Sequence, residues 1–181
     1  MTYKLPDASP EQQKIIKYIL KGRNVIVDSV AGSGKTTTIL HVAAALKDKK
    51  ILLLTYNSKL KLETRTKKEA LNIDHLDVHN YHSFGCKNYS DDCQRDNGLQ
   101  AVYKNMIKPK NIFDYDIIIL DECQDMTPTY YEFALKIVAD MKKKNIQFCV
   151  FGDKKQAIYG FNNADERFLI LIDKLLRFNK R

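Results

Sequence analysis

The stretch NVIVDSVAGSGKTTT, residues 24–38, decides the fold. Residues 24–28 are a short run rich in β-branched side chains, the pattern of a strand. AGSGKT follows at 31–36, and a helix is predicted from about Thr36 to Leu46. A strand that turns on glycines into a helix aims several backbone N–H groups at one spot, which is how a chain cradles a phosphate. In such a loop Lys35 reaches the β- and γ-phosphates and the Thr36 hydroxyl ligates Mg2+. The strict pattern asks for glycine at position 29, where this chain has Ser29. Gly32 and Gly34 still permit the tight turn.

Working outward, ILLLTY (51–56), DIIILD (116–121) and IQFCVFGD (146–153) lack polar–apolar alternation. They read as strands covered on both faces, as in a parallel sheet. LDVHNYH (76–82) reads as a further strand. Ser9-Pro10-Glu11-Gln12 starts a helix that ends near Gly22, with Ser9 as N-cap. More helices are predicted over 58–70, near 99–107, from Thr127-Pro128 to about Lys144, and over 164–178. The run Lys142-Lys143-Lys144 suits the C-terminal end of a helix dipole. The segment 87–110 reads as a loop, SDDCQRDNG, then a short helix. Strand and helix alternate, which implies βαβ units. The fold class is therefore α/β, three layers around a central parallel sheet.

The chain has 181 residues, enough for one domain with its own core. Hydrophobic residues are 44% and charged residues 29%, a balance that excludes wholesale disorder. The apolar runs are too short to span a bilayer, and MTYKLPDASP has no apolar signal-peptide core. Membrane partners are therefore not expected. The net charge of +8 favours polyanionic partners. Four scattered cysteines do not make a disulfide scaffold, so reduced thiols in a cytoplasm or nucleus are expected. The Lys-heavy composition fits an A+T-rich genome such as a viral one.

The strand 117–120 runs directly into Asp121-Glu122. Carboxylates at the carboxyl end of a parallel strand lie where open α/β sheets bind ligands. Asp121 is placed to hold Mg2+, and Glu122 to orient and deprotonate an attacking water. A second arrangement, His79, His82, Cys86 and Cys93, has ligand types that suit zinc.

Together these motifs resemble superfamily 1 helicases of the UvrD/Rep branch, including the F-box DNA helicases. DECQD (121–125) resembles their Walker B motif, SVAGSGKT (29–36) their Walker A, and GDKKQAIYGFNNA (152–164) their motif III. LTYNSKLK (54–61) is similar to motif Ia, NYHSFG (80–85) to the TxHxF-type motif, and SPEQQ (9–13) to the Q motif. The order is that of the family and covers nearly the whole chain.

The resemblance implies a RecA-like P-loop NTPase domain over 1–181, with the 87–110 segment in place of the accessory subdomain. It implies ATP and Mg2+ as ligands. Gln12 would read adenine, with Ala31, Gly32, Ser33, Gly34, Lys35, Thr36, Thr37 and Gln124 around the nucleotide. Glu122, Asp121, Lys35 and the γ-phosphate sensor Gln156 would serve catalysis. Thr55, Asn57, His82 and Phe84 would face single-stranded DNA or support the loops that do, and Tyr159 and Phe161 would contact bases. ATP hydrolysis would drive 3′ to 5′ movement on single-stranded DNA in an enzyme with a second RecA-like domain, in cis or in trans. Departures are Gly160, Asn162 and Asn163 after motif III, and Thr37 where bacterial members carry Arg. A non-helicase P-loop switch, or a nucleotide- or DNA-binding module without motor activity, are the other readings.

Overall fold

The computed structural model describes residues 3–30, 32–143 and 145–153. Helix α1 (Pro10–Leu20) opens the fold, with a capping box between Ser9 and Gln12. Strand β1 (Val25–Asp28) leads to helix α2 (Lys35–Ala45). Strand β2 (Ile51–Thr55), helix α3 (Ser58–Ala70) and strand β3 (Leu76–Asn80) follow. Helices α4 (Tyr81–Asn88) and α5 (Asp96–Lys104) come next, joined through a 3-10 turn at Asp91–Gln94. Strand β4 (Ile117–Leu120), helix α6 (Pro128–Asp140) and strand β5 (Gln147–Gly152) complete the described chain.

The five strands among the described residues are all parallel, in the order β1-β5-β4-β2-β3. Alternate residues of each strand point to opposite faces, and the two cores follow that period. Leu52, Leu54, Ile118, Leu120, Phe148 and Val150 pack with residues of α4, α5 and α6. Ile51, Leu53, Ile117, Ile119, Cys149 and Phe151 pack with residues of α1 and α2. This is the three-layer α/β arrangement expected from the unalternating apolar runs. Strands β2 and β4 are buried at every position, because both faces and both edges are covered. At the sheet edge, β1 is only half covered.

Three local expectations need correction. The third strand stops at Asn80 instead of His82. Asn80 becomes the N-cap of α4: its Oδ1 accepts from the Ser83 N–H at 2.9 Å, and the Ser83 Oγ accepts from the Asn80 N–H at 3.1 Å. That reciprocal cap turns the backbone from strand to helix. Helix α5 begins at Asp96, three residues before the expected start at Leu99. Helix α6 ends at Asp140, so Lys142 and Lys143 lie beyond its C-cap, and Lys143 instead pairs with Asp116 at 2.7 Å. Lys144 and the expected helix 164–178 lie outside the described residues. The four cysteines are free thiols, three of them buried. Among the described residues, no helix is long and apolar enough to cross a membrane.

Candidate active site

The carboxyl ends of the strands carry the chemistry-bearing residues. Strand β5 lies between β1 and β4, so the phosphate loop after β1 and the acidic turn after β4 flank one strand end. The β1–β5 ladder runs on into the loop, where the Ser29 N–H donates to the Gly152 carbonyl at 2.8 Å. The Ser29 Oγ is buried and has no hydrogen-bond partner among the described residues. Gly32 and Gly34 have φ of +77° and +82°, the left-handed region where a side chain is strained. Gly34 is the N-cap of α2, so the first N–H groups of that helix have no side-chain cap. They are the orphan donors that an anion can satisfy.

Across the strand end, the Asp121 N–H donates to the Leu54 carbonyl at 3.0 Å, which fixes Asp121 to the β2–β4 ladder. Asp121 is buried, and its carboxyl is pushed up to about 7 by burial first and by the Glu122 carboxylate second, with Lys35 opposing. Its Oδ1 accepts from the Glu122 N–H at 2.9 Å. Glu122 has φ +53°, a left-handed conformation that costs a non-glycine residue about 1 kcal/mol. Three polar contacts fix the turn around it. Lys35 Nζ donates to Glu122 Oε2 at 2.7 Å, and Gln124 Nε2 donates to the same oxygen at 2.6 Å. Gln124 Oε1 in turn accepts from the Asp153 N–H at 3.0 Å, at the end of β5. Lysine, glutamate and glutamine thus join the phosphate loop, the acidic turn and the end of β5.

Gln12 lies on the other side of the loop. Its Oε1 accepts from the Ser9 N–H at 2.9 Å, and its Nε2 donates to Thr38 Oγ1 at 3.0 Å. A Cβ on Gly34 would stand 3.4 Å from that Nε2, so the amide reaches the phosphate loop while capping α1. Thr36 and Thr37 are half-buried in the first turn of α2. The Thr36 hydroxyl and Asp121 carboxylate are hard oxygen donors, the set Mg2+ takes.

Beside Glu122 opens a groove of about 340 Å³, walled by Tyr56, Asn57 and Lys59 on one side and Glu122, Gln124 and Asp125 on the other. Burial and the neighbouring Glu122 raise the Asp125 carboxyl. Asn57 is exposed at the groove and caps α3 by accepting from the Lys59 N–H at 2.8 Å. Thr55 and Phe84 are both fully buried. They support the loops from beneath and present no surface to a ligand. The Thr55 Oγ1 has no hydrogen-bond partner among the described residues. His82 is half-buried at the start of α4, its Nε2 at 2.9 Å from Asp96 Oδ1. His79, His82, Cys86 and Cys93 are not assembled as a metal cluster, and none is found among the described residues. Ala31, Gln156, Tyr159 and Phe161 lie outside the described residues.

The AAA domain family matches residues 12–162, from the Gln12 that touches the phosphate loop to beyond the last strand. The chain belongs to this family. Over 53 residues it is 43% identical to the RecBCD enzyme subunit RecB of Haemophilus influenzae, a match spanning 29% of this chain and 4% of RecB. The crystal structure of the Pif1 helicase from Candida albicans superposes with a TM-score of 0.52 at 16% identity, over 82% of this chain and 33% of that one. Saccharomyces cerevisiae Dbp5, solved with Nup159, Gle1, IP6 and ADP, superposes with a TM-score of 0.57 at 14% identity, over 89% of this chain and 48% of its own. At such identities the likeness is one of fold, and the fold is RecA-like.

Tyr56, Lys59, Leu60, Glu63 and Asp125 also line the groove and were not among the residues expected from the sequence. Tyr56 stands between Thr55 and Asn57, is 39% exposed, and lines the groove. An aromatic in a polar loop just past a buried strand was the signal: its ring lines the groove while meeting the buried Tyr130 edge-on.

Proposed function

We propose that this domain is the ATP-binding motor half of a UvrD/Rep-like DNA helicase, in which ATP hydrolysis drives 3′ to 5′ translocation on single-stranded DNA. The observation that carries the reading is the Lys35–Glu122–Gln124 link at the strand ends, beside the groove lined by Tyr56. In this reading residues 1–181 form one RecA-like domain, with 87–110 replacing the accessory subdomain. A second RecA-like domain completes the motor, in cis or in trans.

ATP enters with its adenine toward Gln12 and its phosphates against residues 31–37. The phosphates draw Lys35 away from Glu122, because a charge-assisted bond to a polyanion replaces a single ion pair. Glu122, released, accepts the proton of the attacking water. Thr36 and Asp121 are the residues that would hold Mg2+, which supplies charge neutralisation on the phosphates. Gln156 senses the γ-phosphate and Gln124 lies at the edge of the same site. Tyr56, Asn57 and His82 form the nucleic-acid face over Thr55 and Phe84, and the resemblance gives Tyr159 and Phe161 a base-contacting role.

Calorimetry of Mg-ATP binding tests the core of this reading. Lys35→Ala should weaken affinity at least tenfold, about 1.4 kcal/mol. Unchanged binding would overturn the phosphate-loop assignment.

A further inference from the structure

The exposed groups at the ends of β2 and β3 share one support. Tyr130, in the first turn of α6 and only 6% exposed, meets the Tyr56 ring edge-on at 5.4 Å between centroids. It meets the His82 ring edge-on at 5.8 Å and lies over Tyr81 at 4.7 Å. The Tyr130 hydroxyl donates to Asp96 Oδ1 at 3.1 Å, the same oxygen that His82 Nε2 reaches at 2.9 Å. Tyr81 in turn donates its hydroxyl to the Met126 sulfur at 3.7 Å, directly after the turn that bears Gln124 and Asp125. Edge-to-face contact fixes a ring's plane, because the positive rim of one ring meets the negative face of the other. A base stacks well only on a ring already held in one plane, since ordering it on binding costs side-chain entropy.

We propose that Tyr130, anchored by Asp96, is the positioning residue of the nucleic-acid face, setting the planes of Tyr56 and His82 so that both meet one strand. This rests on the reading above that the face takes single-stranded DNA. Through Asp96, the segment 87–110 locks the histidine and the tyrosine hydroxyl together. Tyr130 also stands three residues beyond Thr127, the cap that follows the acidic turn, so a shift of that turn reaches both rings through α6.

The test is anisotropy of a fluorescein-labelled oligothymidylate of about 15 nucleotides at low salt, with Mg-ATP affinity and thermal midpoint measured in parallel on residues 1–181. Tyr130→Leu should weaken oligonucleotide binding about three- to tenfold and leave Mg-ATP affinity unchanged. Tyr130→Phe, which keeps the ring but loses the Asp96 anchor, should fall between Tyr130→Leu and the unmutated chain. Combined with Tyr56→Ala, the loss should be clearly less than the product of the two single losses, because Tyr130 acts through Tyr56. Multiplicative losses, or full affinity in Tyr130→Leu when Tyr56→Ala is weakened, would overturn the inference and leave the proposed function standing. Full affinity in Tyr56→Ala, or no binding by the unmutated chain, would remove the DNA-facing reading and the inference with it. If Tyr130→Leu fails to fold, Asp96→Ala at an exposed position takes its place. Its loss must then be non-multiplicative with that of His82→Ala.

Discussion

Acidification should destabilise this domain through one histidine. His79, in β3, is 6% exposed and meets Phe84 edge-on at 5.5 Å. Burial first, then the charges of Lys87 and Arg65, push its imidazole down from 6.5 to about 4, against an opposing pull from Asp77. The Arg65 guanidinium stands 3.5 Å from its Nδ1. A histidine whose folded value is depressed stays neutral in the native state while the unfolded chain takes up a proton. Stability is therefore intact above 6.5 and is lost as pH falls from 6.5 toward 4. At about 1.4 kcal/mol per pH unit, that window is worth about 3 kcal/mol at most, a large part of a domain's total stability. With a urea slope of about 2 kcal/mol per molar, the unfolding midpoint should drop by about 1 M or more between about pH 7 and pH 4.5. Other groups also titrate there, so the decisive comparison is with His79→Gln, which should show a shallower pH dependence. NMR of labelled histidine gives a direct reading: the His79 ring should not titrate above about pH 5. Titration near 6.5, or an identical pH slope in the variant, would refute the argument.

Gly98→Ala should destabilise the domain by about 1–3 kcal/mol, since the added Cβ would sit 2.0 Å from the Asp92 carbonyl oxygen and backbone cannot swing aside; urea unfolding measures it. Asp140→Ala should cost about 3–5 kcal/mol, because Lys136 is 3% exposed and its ammonium would be left buried beside Tyr89 without its carboxylate. Replacing Lys136 with Met in the same chain should recover much of that loss in the same assay. Residues 1–181 tested alone should hydrolyse ATP barely above background, because an arginine finger from a second domain contributes about 10³–10⁵ in rate. Steady-state phosphate release checks this, and robust turnover by a monomer would contradict the half-motor reading.

The local chemistry was legible in the amino-acid order. Residues 24–38 specify strand, glycine turn and helix by themselves, because β-branching and the left-handed glycines act over a few residues. The apolar runs of β2, β4 and β5 declare burial on both faces, and Asp121-Glu122 declares a strand end. Helix α4 did not show, since LDVHNYH (76–82) reads through as one strand and the helix start depends on how the Asn80 and Ser83 side chains are used. The sheet order, the Lys35–Glu122 pair, and the gathering of Tyr56, His82 and Asp96 around Tyr130 belong to the tertiary structure alone. Each joins residues far apart in the chain. Strand pairing and core packing choose such neighbours by competition among all elements at once, and no local periodicity encodes the outcome.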